Sequence, residues 1–176
     1  MRPRSAILGS VAFLFLAPGF VAGVVPFWLN HWRFQPALLG LNFLRLIGAA
    51  LILLGGAIVL DSFGRFAFQG GGTPAPLLPT KHLVVTGLYR YVRNPMYVGV
   101  AAAILGQGLL FGDKNTLAYG GLIWLAFHLF VVFYEEPTLR ATFGKDYETF
   151  CGNVRRWVPR VRPHGEQGNS TGSSPG

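Results

Sequence analysis

Four apolar runs dominate this sequence, at residues 5–29, 38–60, 94–111 and 116–134. Each approaches or exceeds what a helix rising about 1.5 Å per residue needs to cross hydrocarbon about 30 Å thick. In lipid a chain must satisfy its own backbone N–H and C=O groups, so runs of this kind become helices. The predicted fold class is therefore all-α: an integral membrane helical bundle of about four transmembrane helices, with a C-terminal amphipathic interfacial helix. One domain is expected over 1–162, its motif-bearing part over 81–159, and the polar 163–176 reads as a disordered tail. Hydrophobic residues make up 51% of the chain and charged ones 12%, which excludes an ordinary soluble core.

The first run follows a basic start, Met1 to Arg4. It reads as a retained helix rather than a signal peptide, being longer than a usual apolar core and lacking a small-x-small cleavage site. Pro18 and Pro26 are expected to kink or end it. Arg45, early in the second run, is expected to snorkel to the near interface. Gly48, Gly55 and Gly56 in the second run, and Gly99, Gly106, Gly108 and Gly112 in or after the third, offer close helix contact. Residues 61–80 read as a loop, broken by Gly70-Gly71-Gly72 and by Pro74, Pro76 and Pro79. The glycine run lacks the Lys-Ser/Thr ending of a phosphate loop. Beyond the fourth run, 138–159 is basic, with Leu139, Phe143, Tyr147, Phe150 and Val154 at helical spacing, and is expected to lie on the membrane surface. Cys151 has no partner for an intramolecular disulfide.

Fifteen Lys and Arg against seven Asp and Glu give a net charge of +8. In a chain of this composition that excess fits cytosolic loops and anionic lipid, so a nucleic-acid partner is not expected. The positive residues gather at the amino end, between the second and third runs (Arg65, Lys81, Arg90, Arg93) and in the carboxyl tail. Four spans with both termini inside satisfy that bias, and they put the 81–97 stretch, the acids and the tail on one cytosolic face.

Polar residues with chemical potential cluster in two places. The stretch Lys81 to Tyr97 holds Arg90 and Arg93 one turn apart near Tyr89 and Tyr97, with Asn94-Pro95 resetting the backbone. Glu135 and Glu136 follow the fourth run and precede Pro137, where they face either water or a cation. His128 lies two turns before Glu135 and could share its cavity, or could simply bond another helix. No set of His, Cys and carboxylates has metal-ligand spacing, so no metal is expected.

Thr86-Gly87-Leu88-Tyr89, Arg93-Asn94-Pro95-Met96-Tyr97-Val98-Gly99, Glu135-Glu136, Phe143-Gly144 with Tyr147, and Val158-Pro159 together resemble the isoprenylcysteine carboxyl methyltransferase and phospholipid methyltransferase superfamily of membrane enzymes. The resemblance implies methyl transfer from S-adenosylmethionine to a lipid-like or small amphipathic acceptor. By position it places Lys81, His82, Leu83, Val84, Tyr89, Asn94, Pro95, Met96 and Tyr97 at the cofactor, with Glu135 and Glu136 at its amino-acid end. Arg93, Glu135 and His128 are the expected catalytic residues. Asn94 stands where many members carry histidine. Val131 stands where eukaryotic members acting on prenylcysteine carry arginine, which points away from that acceptor. The competing reading is a small membrane scaffold or carrier that keeps the fold without methyl transfer.

Overall fold

A computed structural model describes residues 15–68, 83 and 85–161. Among these residues every regular element is a helix, with no strand. The chain enters as a wide-turned helix α1 (Phe15–Val24) and continues directly as α2 (Val25–Asn30). Then come α3 (Phe43–Phe68), α4 (Pro95–Phe111), α5 (Lys114–Phe130), α6 (Glu136–Phe143) and α7 (Lys145–Asn153). Two helical stretches, Phe43–Arg65 and Lys114–Phe143, are long and apolar enough to cross a membrane, and Ala17–Asn30 and Pro95–Phe111 are shorter apolar helices.

The α3–α4 contact is built on glycine. A Cβ on Gly48 would stand 2.6 Å from the Gly106 carbonyl oxygen, and one on Gly55 would stand 2.5 Å from that of Gly99. The pairs lie seven residues apart on both helices and run in opposite directions, so α3 and α4 are antiparallel with backbones touching at two levels. Between and beside these notches Val59, Phe63, Met96, Val100 and Ile104 form the main core, flanked by Tyr97, Tyr119, Ile123 and Phe127.

Pro26 shapes the entry of the chain. Lacking an N–H, it leaves carbonyls of the preceding turn without a helical donor. Gln107 of α4 donates to the Ala22 carbonyl at 2.6 Å, and the Tyr119 hydroxyl of α5 donates to that of Val21 at 3.0 Å. At the same end Asp113 caps α5, accepting from Thr116 N at 2.8 Å and Thr116 Oγ1 at 2.5 Å, while Asn30 Nδ2 donates to Thr116 Oγ1 at 3.1 Å. Burial pushes the Asp113 carboxyl up, but hydrogen bonds from Thr116, Asn115 and Gln35 outweigh it and hold the group below its ordinary range.

Three sequence expectations change here. Helix α3 runs on through residues 61–68, which read as loop: Asp61 and Arg65 form a paired i, i+4 bridge at 2.8 Å, and Gly64 is carried within the helix. The rest of that loop lies outside the described residues, as do residues 1–14 of the first run and the tail. The basic segment after the fourth run forms two short helices broken at Gly144, whose φ is +51°. Its apolar stripe faces protein rather than lipid: Tyr147, Phe150 and Val154 are buried against Leu83, Val85, Leu139 and Phe143. Arg45 donates to the Gln35 carbonyl at 2.7 Å.

Candidate functional site

The end of the bundle opposite Asp113 gathers the C-terminus of α3, the turn Gly87–Arg90, the start of α4 and the helix change at Val131–Glu135. Gly87 makes the turn possible. Its φ is +54°, which favours glycine, and a Cβ there would stand 1.9 Å from the Arg65 guanidinium carbon, so a side chain would also have to displace Arg65. Tyr89 is thereby buried beside α3. Burial pushes its phenol above the usual range, the Ser62 hydroxyl pulls it back, and the nearby carboxylates of Glu135 and Asp61 push it up again. Tyr89 is therefore a neutral hydroxyl at physiological pH.

Asn94 and Pro95 start α4. Pro95 occupies the first helical position, where its missing N–H costs nothing, and the next turn presents Tyr97. From the opposite direction, Pro137 cannot donate to the carbonyl of Phe133. The helix absorbs this by widening over Val131–Glu135 and resuming as α6. The acids thus stand inside a continuing helix, not at its C-terminus as their position before Pro137 suggested, and Glu136 lies in the first turn of α6. Successive helical residues point about 100° apart, so the two acids take different partners.

Glu135 accepts from the Tyr97 hydroxyl at 2.7 Å. Tyr97 in turn packs on Phe127, ring centroids 4.8 Å apart. The other Glu135 oxygen has no partner among the described residues. Glu136, by contrast, is fully engaged. Arg156 binds it through two nitrogens at 2.6 and 3.0 Å, Arg93 lies at 3.3 Å and Arg140 at 3.8 Å.

Those contacts belong to a strap, residues 154–161, laid over the start of α4. Arg93 N donates to the Arg155 carbonyl, and Arg160 N donates to that of Tyr91, both at 2.9 Å. Asn94 Nδ2 reaches the Arg156 carbonyl at 3.3 Å. Trp157 carries the strap up α5, donating to His128 Nδ1 at 3.1 Å and stacking near Trp124 at 4.5 Å.

The structure therefore brings Tyr89, Asn94, Pro95, Met96, Tyr97, Glu135 and Glu136 to one end of the bundle, with Leu83 half-buried under α7. Lys81, His82 and Val84 lie outside the described residues. Two expectations shift. His128 is engaged by Trp157 and does not meet Glu135, since the wide turn at 131–135 breaks the simple seven-residue alignment. Arg93 serves Glu136 and touches Cys151 Sγ at 2.7 Å. Arg156 and Trp157 were missed as site residues. Twenty residues separate Arg156 from Glu136, and no spacing rule pairs them.

Among the described residues no group of three or more His, Cys, Asp or Glu could hold a metal ion. What the site does present is an acid with one oxygen unpartnered among the described residues, oriented by a phenol, beside aromatic hydroxyls. That set suits an ammonium group and an aromatic heterocycle.

Comparison with known proteins gives the same direction. The sequence is 37% identical over 82 residues to the fission yeast (Schizosaccharomyces pombe) protein named protein-S-isoprenylcysteine O-methyltransferase, a match covering 46% of this chain and 34% of that one. It is 33% identical over 112 residues to a Laccaria bicolor phosphatidylethanolamine N-methyltransferase, covering 62% of this chain and 12% of that one. A rice (Oryza sativa subsp. indica) protein named as a probable protein-S-isoprenylcysteine O-methyltransferase is 33% identical over 80 residues, covering 45% and 41%. The chain thus spans well under half the length of these relatives. The phospholipid methyltransferase family matches residues 43–146, from the start of α3 into α7 and through both acids, and the chain belongs to that family.

Proposed function

We propose that this protein is an integral membrane methyltransferase that uses S-adenosylmethionine and acts on a lipid-like or small amphipathic acceptor. The observation that carries the reading is the Tyr97–Glu135 pair at 2.7 Å, whose second carboxylate oxygen has no partner among the described residues, inside the stretch shared with the family. S-adenosylmethionine, when bound, supplies a methyl group on a positively charged sulfur.

The chain's own part is positioning. Glu135 takes the ammonium at the amino-acid end, Tyr97 fixes the carboxylate's orientation, and Tyr89, Asn94, Pro95 and Met96 border the nucleoside. Lys81 to Val84 extend that border, and Glu136 acts behind it by holding the strap. Methyl transfer from a sulfonium needs mainly alignment of acceptor and methyl carbon away from water. A site closed by helices and a strap suits that need, and the acceptor enters from lipid.

Glu135→Gln keeps the shape and removes the charge. It should weaken S-adenosylhomocysteine binding by about 1.5–3 kcal/mol, measured by isothermal titration of detergent-purified protein. Unchanged affinity would remove Glu135 from the site, and no heat from the unaltered protein at millimolar ligand would favour a scaffold.

The four-span arrangement, with both termini and the site on the cytosolic side, has its own test. In a Cys151→Ala background, Glu148→Cys should be labelled by a membrane-impermeant maleimide from the cytosolic side only, and Leu39→Cys from the opposite side only. Both positions are exposed. Labelling of both from one side would refute this topology.

A further inference from the structure

Three guanidinium groups, from Arg93, Arg140 and Arg156, converge on the single carboxylate of Glu136. One acid cannot balance three cations, and even with Glu135 counted the cluster stays positive. Their environments differ. Arg93 has a side chain only 11% exposed, and its Nε is buried without a hydrogen-bond partner. Arg156 is half-buried and spends two nitrogens on Glu136. Arg140 is 55% exposed and touches Glu136 only at 3.8 Å, leaving its donors free to turn outward. Surplus charge and an unpaired buried donor are the features of an incomplete ion cluster, and planar guanidinium forks favour oxyanions with two or more oxygens.

We propose that Arg93, Arg140 and Arg156, gathered on Glu136, form a receptor for an oxyanion. The anion is either the phosphate of a lipid headgroup or the carboxylate at the amino-acid end of S-adenosylmethionine. Only the second source rests on the methyl-transfer reading above. In both cases Glu136 has the same duty: it holds like charges together so that an incoming anion meets them already arranged.

The test titrates the full-length detergent-purified protein with three probes: S-adenosylhomocysteine, dihexanoylphosphatidylglycerol, and dihexanoylglycerol, which lacks phosphate. Arg140→Gln should raise the Kd of one anionic probe about three- to tenfold, the range for a partly exposed charged contact. Arg140→Lys should restore most of the loss, and dihexanoylglycerol should respond to neither change. The probe that weakens identifies the source. Arg140 is exposed, so its variants should fold with unaltered Tm. Equal affinity of both anionic probes for the unaltered protein and for Arg140→Gln would overturn the receptor. So would failure of the unaltered protein to bind either. Should it bind phosphatidylglycerol through Arg140 yet ignore S-adenosylhomocysteine, the receptor stands and methyl transfer falls.

Discussion

Glu136→Gln should release the strap and lower stability in detergent by about 2–3 kcal/mol, the cost of breaking a buried ion cluster reduced for its partly exposed members. The Glu136 side chain is 6% exposed and takes charge from three arginines. Glutamine offers one carbonyl oxygen and no charge, so Arg93, only 11% exposed, would be left as an uncompensated buried cation. The strap would then be held by the two backbone bonds to Tyr91 and Arg93, the Asn94 contact and the Trp157–His128 bond. The measurements are Tm and limited trypsin digestion. Early cleavage at Arg155, Arg156 and Arg160 is expected, together with a lower Tm. An unaltered Tm with the original digestion pattern would mean that Glu136 does not hold the strap.

A second large effect is expected at the α3–α4 contact. Gly55→Leu would force a side chain against the Gly99 carbonyl oxygen at 2.5 Å and the Ala103 nitrogen at 2.9 Å, both backbone atoms that cannot rotate aside. The helices must separate, and since overpacking costs about 1–3 kcal/mol even where side chains can give, loss of folded, monodisperse protein is expected. Gly56→Leu is the control one residue away. A Cβ there meets nothing within 4 Å, so the change should be within about 0.5 kcal/mol of neutral. Size-exclusion profiles and thermal unfolding of the two variants decide the matter. Equal behaviour would show that the glycines are not the contact.

The apolar runs made α3, α4 and α5 legible, because backbone satisfaction in lipid leaves a helix as the outcome whatever the detailed order of Leu, Ile and Val. Ends were harder. Residues 61–80 read as one loop on the strength of their glycines and prolines, whereas the bridge from Asp61 to Arg65 carries α3 onward to Phe68. The amphipathic pattern after residue 138 was real, but periodicity reports only that a face is covered, not whether lipid or protein covers it. Here Leu83 and Val85 contribute to the cover.

The site was legible as a set of residues and illegible as a set of partners. Tyr97 and Glu135 could be picked out by type and by resemblance, yet their bond spans 38 residues. That Glu136 would be consumed by arginines while Glu135 pairs with Tyr97 depends on the widened turn before Pro137. His128 shows the reverse case, where an even count of helical turns suggested a meeting that the same widened turn prevents.

The bonds made around Pro26 bear on where this protein's smallest working unit ends. The family-shared stretch begins at residue 43, but Gln107 and Tyr119 inside it spend their donors on carbonyls at 22 and 21, and Thr116 receives Asn30. A version trimmed to the shared stretch would leave those polar groups without these partners. The helix at 15–30, outside the stretch that the family model matches, is thus tied by these bonds to the portion inside it.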